Sequence, residues 1–148
     1  MTRVQILVGT ETGTAETVAE DLKEQLDNMG IASHINPMPT IEDLLDNPND
    51  TVLICTANTG AGDLPGNIQP LYVALERSFP NIAGRRYGLI NLGDSSYATF
   101  AEAGEAIDHA MSELGASRLG EPLVLDACSG DDPSELALEW LEDWVQLL

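Results

Sequence analysis

The sequence predicts an α/β fold in which a parallel, doubly wound sheet carries helices on both faces. Apolar segments of strand length alternate with segments whose apolar residues recur at helical spacing, five times over. Residues 51–56 form a continuous apolar run between turn signals, which is typical of a buried parallel strand. No repeat, linker or low-complexity segment divides the sequence, so we expect residues 1–148 to form one domain.

The first strand and helix are the clearest pair. Residues 4–8 are apolar and of strand length, and the helical spacing that follows is carried by Ala15, Val18, Ala19, Leu22, Leu26 and Met29. Gly30 fits the position just past a helix C-terminus, and residues 31–35 predict a short second strand. Pro37 and Pro39 then interrupt the chain, and Thr40 is expected to cap a short helix.

The third strand, residues 51–56, is followed by a predicted helix over residues 68–79 with Pro70 in its first turn. We expect the inner face of that helix to consist of Leu71, Tyr72, Leu75 and Phe79. Residues 87–92 predict the fourth strand. The next helix has an apolar face of Ala103, Ile107, Ala110, Met111 and Leu114 and ends at Gly115.

A fifth strand region lies near Leu119 and residues 123–125, with Gly120 and Pro122 interrupting it. The last helix is predicted to begin near residues 132–134. Its apolar stripe consists of Ala137, Leu141, Trp144 and Leu148. Trp140 and Trp144 are four residues apart and are expected to pack against the sheet.

Acidic residues dominate the charge of the chain. Twenty-five acidic and six basic residues give a formal net charge of −19, which repels nucleic acid and anionic membranes. The same charge would attract a partner with a basic face, or it would serve only to keep the protein in solution, and charge alone leaves both readings open. No apolar run approaches a membrane span, and a strand begins almost at the first residue, so we expect no signal peptide and a cytoplasmic location.

The two cysteines do not form a recognisable motif. Cys55 lies in an apolar run and is predicted to be a core residue, whereas Cys128 lies in a polar stretch and is expected to be a free thiol. Their spacing matches neither a disulfide framework nor a metal centre. Likewise, no Ser/His/Asp triad or paired general acid and base falls on the loops described next, so no catalytic residue is predicted.

Three polar loops follow the first, third and fourth predicted strands, which places them at one edge of a parallel sheet. The first, residues 10–16, has three threonines and one glycine but no lysine or arginine. It predicts either an anion site made of neutral donors at a helix N-terminus or an ordinary helix cap. A Walker loop is excluded, because that motif needs a lysine and this loop has none. The Gly-x-Gly-x-x-Gly fingerprint of dinucleotide-binding proteins is also absent, because the glycine that follows Gly60 and Gly62 is Gly66, one position too late.

The three loops resemble those of the flavodoxins. Residues 10–16 (TETGTAE) resemble the phosphate loop of that family, residues 59–65 (TGAGDLP) its second flavin loop, and residues 92–100 (LGDSSYATF) its third. The resemblance covers essentially the whole chain, and the short connection at the fifth strand is similar to that of short-chain flavodoxins. The loops are also similar to the flavodoxin-like FMN domains of diflavin reductases such as sulfite reductase. The resemblance implies five strands in the order 2-1-3-4-5, in three layers, and a bound FMN.

The resemblance also implies which residues hold FMN. They are Thr10, Glu11, Thr12, Gly13, Thr14 and Ala15 for the phosphate, and Ala57, Asn58, Thr59, Gly60, Ala61, Gly62, Leu92, Gly93, Asp94, Tyr97, Phe100 and Ala101 for the rest of the cofactor. Glu11 would contribute only backbone groups, because its carboxylate repels a phosphate.

Individual roles follow from the resemblance. Tyr97 would stack on one face of the flavin, unless it is a loop tyrosine without a ligand. The peptide at Gly60 would turn its carbonyl toward flavin N5 and so stabilise the semiquinone, a motion that glycine permits. Asp94 would accept a hydrogen bond from FMN or serve only to shape its loop. Asn58 and Thr59 stand where many family members have an aromatic residue over the second flavin face, so that face is expected to be more open or covered by backbone.

The expected function is that of an electron carrier that passes electrons one at a time through the flavin semiquinone. Its donor would be a flavin reductase domain or a ferredoxin/flavodoxin reductase, and its acceptor a redox enzyme, each docking through a basic face. We expect a monomer that binds no nucleic acid and no membrane. The alternatives are an FMN-dependent NAD(P)H oxidoreductase of the same fold and a flavin-free interaction module.

Overall fold

Six parallel strands form the sheet of this protein, seen in a computed structural model that describes residues 3–10, 13–46, 49–58, 63–96 and 101–148. The strands are β1 (Val4–Gly9), β2 (Ser33–Asn36), β3 (Thr51–Ala57), β4 (Arg86–Gly93), β5 (Ser117–Arg118) and β6 (Leu123–Asp126). Their order is β2-β1-β3-β4-β5, and β6 also pairs with β4. The predicted order 2-1-3-4-5 is therefore confirmed, with the fifth place shared by two short strands on either side of Gly120 and Pro122.

The described residues form five α-helices, four of them between strands and the last after β6. They are α1 (Thr14–Asn28), α2 (Glu42–Leu45), α3 (Gln69–Arg77), α4 (Glu102–Glu113) and α5 (Pro133–Trp144). Gly30 and Gly115 follow α1 and α4 in the left-handed conformation, as expected of residues that end helices. Asp132 caps α5 by accepting a hydrogen bond from the Ser134 N–H. Among the described helices, none is long and apolar enough to cross a membrane.

The central strands are buried on both sides, and their side chains alternate between two cores. On β1, Ile6 and Val8 belong to a core that α1 and α5 cover, while Leu7 belongs to a second core under α3 and α4. On β3, Cys55 faces the first core and Ile54 the second. The sheet is thus sandwiched between two helical layers, which confirms the predicted three-layer, doubly wound arrangement.

The two tryptophans pack on the sheet at a position where a glycine leaves room for an indole ring. Trp144 is buried against β4, where a Cβ on Gly88 would come within 2.5 Å of its indole nitrogen. Trp140 is half-buried and stacks on Trp144 with ring centroids 5.4 Å apart, and its indole N–H donates to the Glu121 carbonyl. The expected packing of both rings is confirmed.

Two local predictions are wrong. Phe79 is 74% exposed, because α3 ends at Arg77 and the chain turns away with a positive φ at Phe79 before that residue can reach the inner face. Thr40 does not cap α2, whose N-cap residue is Ile41. Instead the Asp43 carboxylate accepts from the Thr40 N–H at 2.7 Å, so the acidic residue makes the bond that holds this turn.

Candidate functional site

The ends of β1, β3 and β4 meet at one edge of the sheet, as the parallel order requires. Gly9 pairs with Thr56, and Ala57 pairs with Leu92. Gly93, at the end of β4, pairs with Asp126 of β6. The described parts of the three predicted loops therefore leave the sheet side by side, at the edge where open α/β sheets bind ligands.

The first loop leads directly into α1. Gly13 is its N-cap residue, in the left-handed conformation at φ 92°, and its N–H donates to the Thr10 hydroxyl oxygen at 2.8 Å. A glycine has no side chain with which to cap the helix, and no side-chain cap bonds to the start of α1 among the described residues. The Thr10 hydroxyl oxygen acts as an acceptor here, and a hydroxyl that accepts can also donate its proton. Thr14 and Ala15 begin the helix, and a helix start without a side-chain cap is compatible with the predicted anion site, which stays a prediction.

The three loop segments contain no basic residue. The basic residues of the chain are Arg3, Lys23, Arg77, Arg85, Arg86 and Arg118. None of these positions falls in the segments that follow β1, β3 or β4. An anion bound at α1 would therefore be held by neutral donors and the helix dipole, as the sequence predicts.

Two asparagines connect the second loop to the third. The Asn58 side-chain NH2 donates to the Asn91 side-chain oxygen at 2.6 Å and to the Leu92 carbonyl at 2.7 Å, while its oxygen accepts from the Ala103 N–H at 2.6 Å. Asn91 is only 2% exposed, and its NH2 donates to the Ala101 carbonyl at 2.9 Å. These bonds fix the start of α4, where Ala101 adopts a left-handed conformation that is costly for alanine.

The amide of Asn58 is committed to protein partners. Its side chain bonds to Asn91, Leu92 and Ala103, and its backbone N–H donates to the Leu92 carbonyl. Among the described contacts, Asn58 therefore connects β3, β4 and the start of α4, and the expectation of little stacking from this position stays a prediction.

Asp94 belongs to a hydrogen-bonded cluster, here called the clasp, that joins the third loop to the segment after β6. The clasp consists of Asp94, Ser95, Ser96, Asp126 and Cys128. Its carboxylate accepts from the Ser96 N–H at 2.9 Å and from the Cys128 thiol at 3.0 Å. Asp126 accepts from the Ser95 N–H at 3.0 Å and the Cys128 N–H at 2.9 Å. Of the two roles expected for Asp94, shaping the loop is the one these contacts support.

The donors of the clasp also change its acidity. The Cys128 thiol, followed by Ser96, holds the pKa of Asp94 below its usual range. The Ser95 N–H, followed by the Cys128 N–H, lowers the pKa of Asp126. Asp94, Asp126 and Cys128 have possible metal ligands within 4.8 Å of one another, but hydrogen bonds within the loops already account for this arrangement.

Several predicted site residues lie outside the described part of the chain. They are Glu11, Thr12, Thr59, Gly60, Ala61, Gly62, Tyr97 and Phe100. Their roles stay predictions. The described ones, Thr10, Gly13, Thr14, Ala15, Ala57, Asn58, Leu92, Gly93, Asp94 and Ala101, are all brought to the edge of the sheet that carries the three loops.

Sequence reasoning missed two residues that hold the loops. The local pattern around Asn91 predicts only a strand, although a polar residue inside an apolar strand is a signal that identifies it. Asn67 belongs to a loop rich in glycine and amide side chains. Its side chain contacts Thr10, 57 residues away, and no local sequence pattern predicts that contact.

The two thiols are expected to react very differently. Cys55 is fully buried, and burial raises the pKa of its thiol to about 12, whereas Cys128 is exposed. At pH 8 a thiol reagent should therefore modify one cysteine in the native protein and the second only after denaturant is added. Cys128→Ser should abolish the native reaction. Rapid modification of both cysteines in the native wild type would contradict the buried position of Cys55.

The comparisons with known proteins agree with one another. The sequence model of the flavodoxin family matches residues 6–140. Flavodoxin YqcA of Pectobacterium carotovorum is 39% identical over 148 residues, covering 100% of this chain and 98% of the relative. Protein MioC of Escherichia coli O157:H7 is 34% identical, covering 100% of this chain and 99% of the relative. A solved cysteine-to-alanine mutant of flavodoxin from Pseudomonas aeruginosa superposes with a TM-score of 0.89 at 36% identity, over 99% of this chain and 98% of that one.

Proposed function

The chain belongs to the flavodoxin family, whose members bind FMN and transfer electrons, and from this premise we propose that it carries electrons one at a time between a reductase and an acceptor enzyme. FMN, when bound, supplies the redox chemistry, because its ring accepts and releases single electrons. The part of the protein is to bind FMN, to orient it and to present it to partners. The relatives favour this role over that of an NAD(P)H oxidoreductase.

The start of α1 is the observation that carries the proposal. The outward-facing N–H groups of its first turn and the Thr10 hydroxyl would hold the phosphate of FMN. Gly13 makes this possible, since its φ of 92° is a conformation that other residues rarely adopt. Thr14 and Ala15 would contribute backbone donors. Glu11 and Thr12 complete the proposed phosphate loop.

The ring of FMN would lie at the ends of β3 and β4. The two asparagines at positions 58 and 91 hold the chain on either side of the proposed ring loops, because they bind both Leu92 and the start of α4. Tyr97 would stack on the ring, and the peptide at Gly60 would adjust to its protonation at N5. The other proposed contacts are Ala57, Thr59, Ala61, Gly62, Gly93, Phe100 and Ala101, while Asp94 acts through the clasp.

The acidic surface supports docking to basic partners. Beside the site, α4 has Glu102 and Glu105 in its first turn, and α1 has Glu16. With a net charge of −19, the protein would attract the basic face of a reductase or acceptor and release it quickly. We propose that the chain works as a one-domain monomer without an enzymatic activity of its own. We also propose a cytoplasmic location, which the two free thiols support.

Flavin binding and electron transfer test this function together. The apoprotein should bind FMN at least about 100-fold more tightly than riboflavin, since two charge-assisted hydrogen bonds to phosphate contribute about 3 kcal/mol. The loaded protein should turn yellow and should accept electrons from NADPH only when a reductase is added. The rate of that transfer should fall as salt is raised. A protein that takes up no FMN, or that oxidises NADPH without a reductase, would contradict the proposal.

A further inference from the structure

Asn67 connects three segments that are far apart in the sequence. It lies in the turn before α3 and is half-buried. Its side-chain oxygen accepts from the Thr10 N–H at 2.9 Å, and its NH2 donates to the Val8 carbonyl at 2.6 Å and to the Pro37 carbonyl at 2.8 Å. The side chain therefore contacts the end of β1, the first residue of the phosphate loop and the chain just beyond β2.

These contacts continue the sheet where β2 stops. Val4 donates its N–H to Ala32 at the β2 edge, so alternate residues of β1 present their peptide groups to β2. A strand residue beyond Asn36 would donate to the Val8 carbonyl and accept from the Thr10 N–H. The chain does not supply it, because the N–H of Met38 donates to the Asn36 side chain instead. The carboxamide of Asn67 takes this place, with one donor and one acceptor as in a peptide group.

The position of Thr10 then determines the start of α1. Thr10 accepts from the Gly13 N–H at 2.8 Å, and Gly13 is the N-cap residue of the helix. Asn67 thus fixes the position of the Thr10 backbone, and the Thr10 hydroxyl fixes the turn at Gly13 from which the first-turn N–H groups of α1 follow. Without Asn67, both the Val8 carbonyl and the Thr10 N–H would lose a partner at the mouth of the site.

We propose that Asn67 is a positioning residue for the phosphate of FMN, acting through Thr10. This inference rests on the proposed function of the first loop. Its role requires a donor and an acceptor on one short side chain, which aspartate and alanine do not offer. Because Asn58 and Asn91 hold the proposed ring loops, loss of Asn67 should weaken the binding of the phosphate group and change the binding of the flavin ring little.

The test compares FMN with riboflavin, which has the same ring but no phosphate. We expect Asn67→Ala to weaken FMN binding to the apoprotein by about 10- to 100-fold, and riboflavin binding by less than about threefold. Asn81→Ala is the control. Asn81 is exposed and precedes β4, at the end of the sheet opposite the three loops, so its removal should leave the affinity for both flavins unchanged.

Each outcome separates the two proposals. Suppose that the wild type binds FMN more tightly than riboflavin. If Asn67→Ala then weakens the binding of both flavins equally, or of neither, the proposed role of Asn67 is overturned and the proposed phosphate loop stands. If the wild type does not prefer FMN to riboflavin, the phosphate loop itself is overturned and Asn67 has nothing to position. Should Asn67→Ala fail to fold, Asn67→Ser keeps a neutral polar side chain that is too short to bond to Val8, Thr10 and Pro37 together. It should show the same loss confined to FMN, and an unchanged FMN affinity in that variant would overturn the proposal.

Discussion

Gly104→Ala is expected to lower the free energy of unfolding of the apoprotein by about 3 kcal/mol. A Cβ at position 104 would lie 2.2 Å from Cγ of Asn91 and 2.3 Å from its side-chain nitrogen. Asn91 has little freedom to move, since it is buried and bonded to both Asn58 and Ala101. Overpacking and broken buried hydrogen bonds should outweigh the gain of about 1 kcal/mol that alanine brings to a helix interior. Urea unfolding of the apoprotein measures the loss.

Two variants test whether the contact with Asn91 is the cause. Gly66→Ala is a matched control, because a Cβ there meets nothing within 4 Å, and it should change stability by less than about 1 kcal/mol. Asn91→Ala removes the atoms that the new methyl group would strike. The double variant should therefore be more stable than the sum of the two single losses predicts. Strict additivity, or a Gly104→Ala protein as stable as the wild type, would show that the helix can shift aside.

Asn91→Leu is expected to weaken the binding of FMN and of riboflavin alike, by about tenfold or more. Leucine has a similar size but leaves the Ala101 carbonyl without its donor and removes the acceptor of the Asn58 NH2. The cost to stability should be about 2 kcal/mol. The start of α4 would lose the bond that holds Ala101 in its left-handed conformation. Flavin titration and urea unfolding measure the two effects.

The equal loss for both flavins distinguishes this residue from Asn67. Asn91 lies under the proposed ring loops, whereas Asn67 lies beside the phosphate loop. Asn81→Leu is a suitable control, since Asn81 is exposed and precedes β4 at the opposite end of the strand. A loss confined to FMN in Asn91→Leu would contradict the division between ring and phosphate support.

Local patterns in the sequence predict the strands and the helix ends, because both depend on residues only a few positions apart. The apolar run at residues 51–56 became β3, which extends one residue further, to Ala57. The glycines at positions 30 and 115 end helices because their conformation is a property of the single residue. A local pattern also explains the wrong prediction for Phe79. The helical spacing of apolar residues continues past Arg77 in the sequence, but α3 ends at Arg77 and the backbone turns at Phe79.

The sequence by itself determined the order of elements, the edge of the sheet that carries the proposed site and the neutral character of the proposed phosphate loop. Each of these follows from periodicity, from strand ends and from residue types within a few positions. Only the tertiary structure decided which side chains hold the loops. Asn58 contacts Asn91 across 33 residues because the register of β3 and β4 brings them together. Asn67 contacts Thr10 across 57 residues because the chain folds back to the end of β1 before α3 begins. A hydrogen bond needs a partner within about 3 Å, and a linear pattern does not contain that distance.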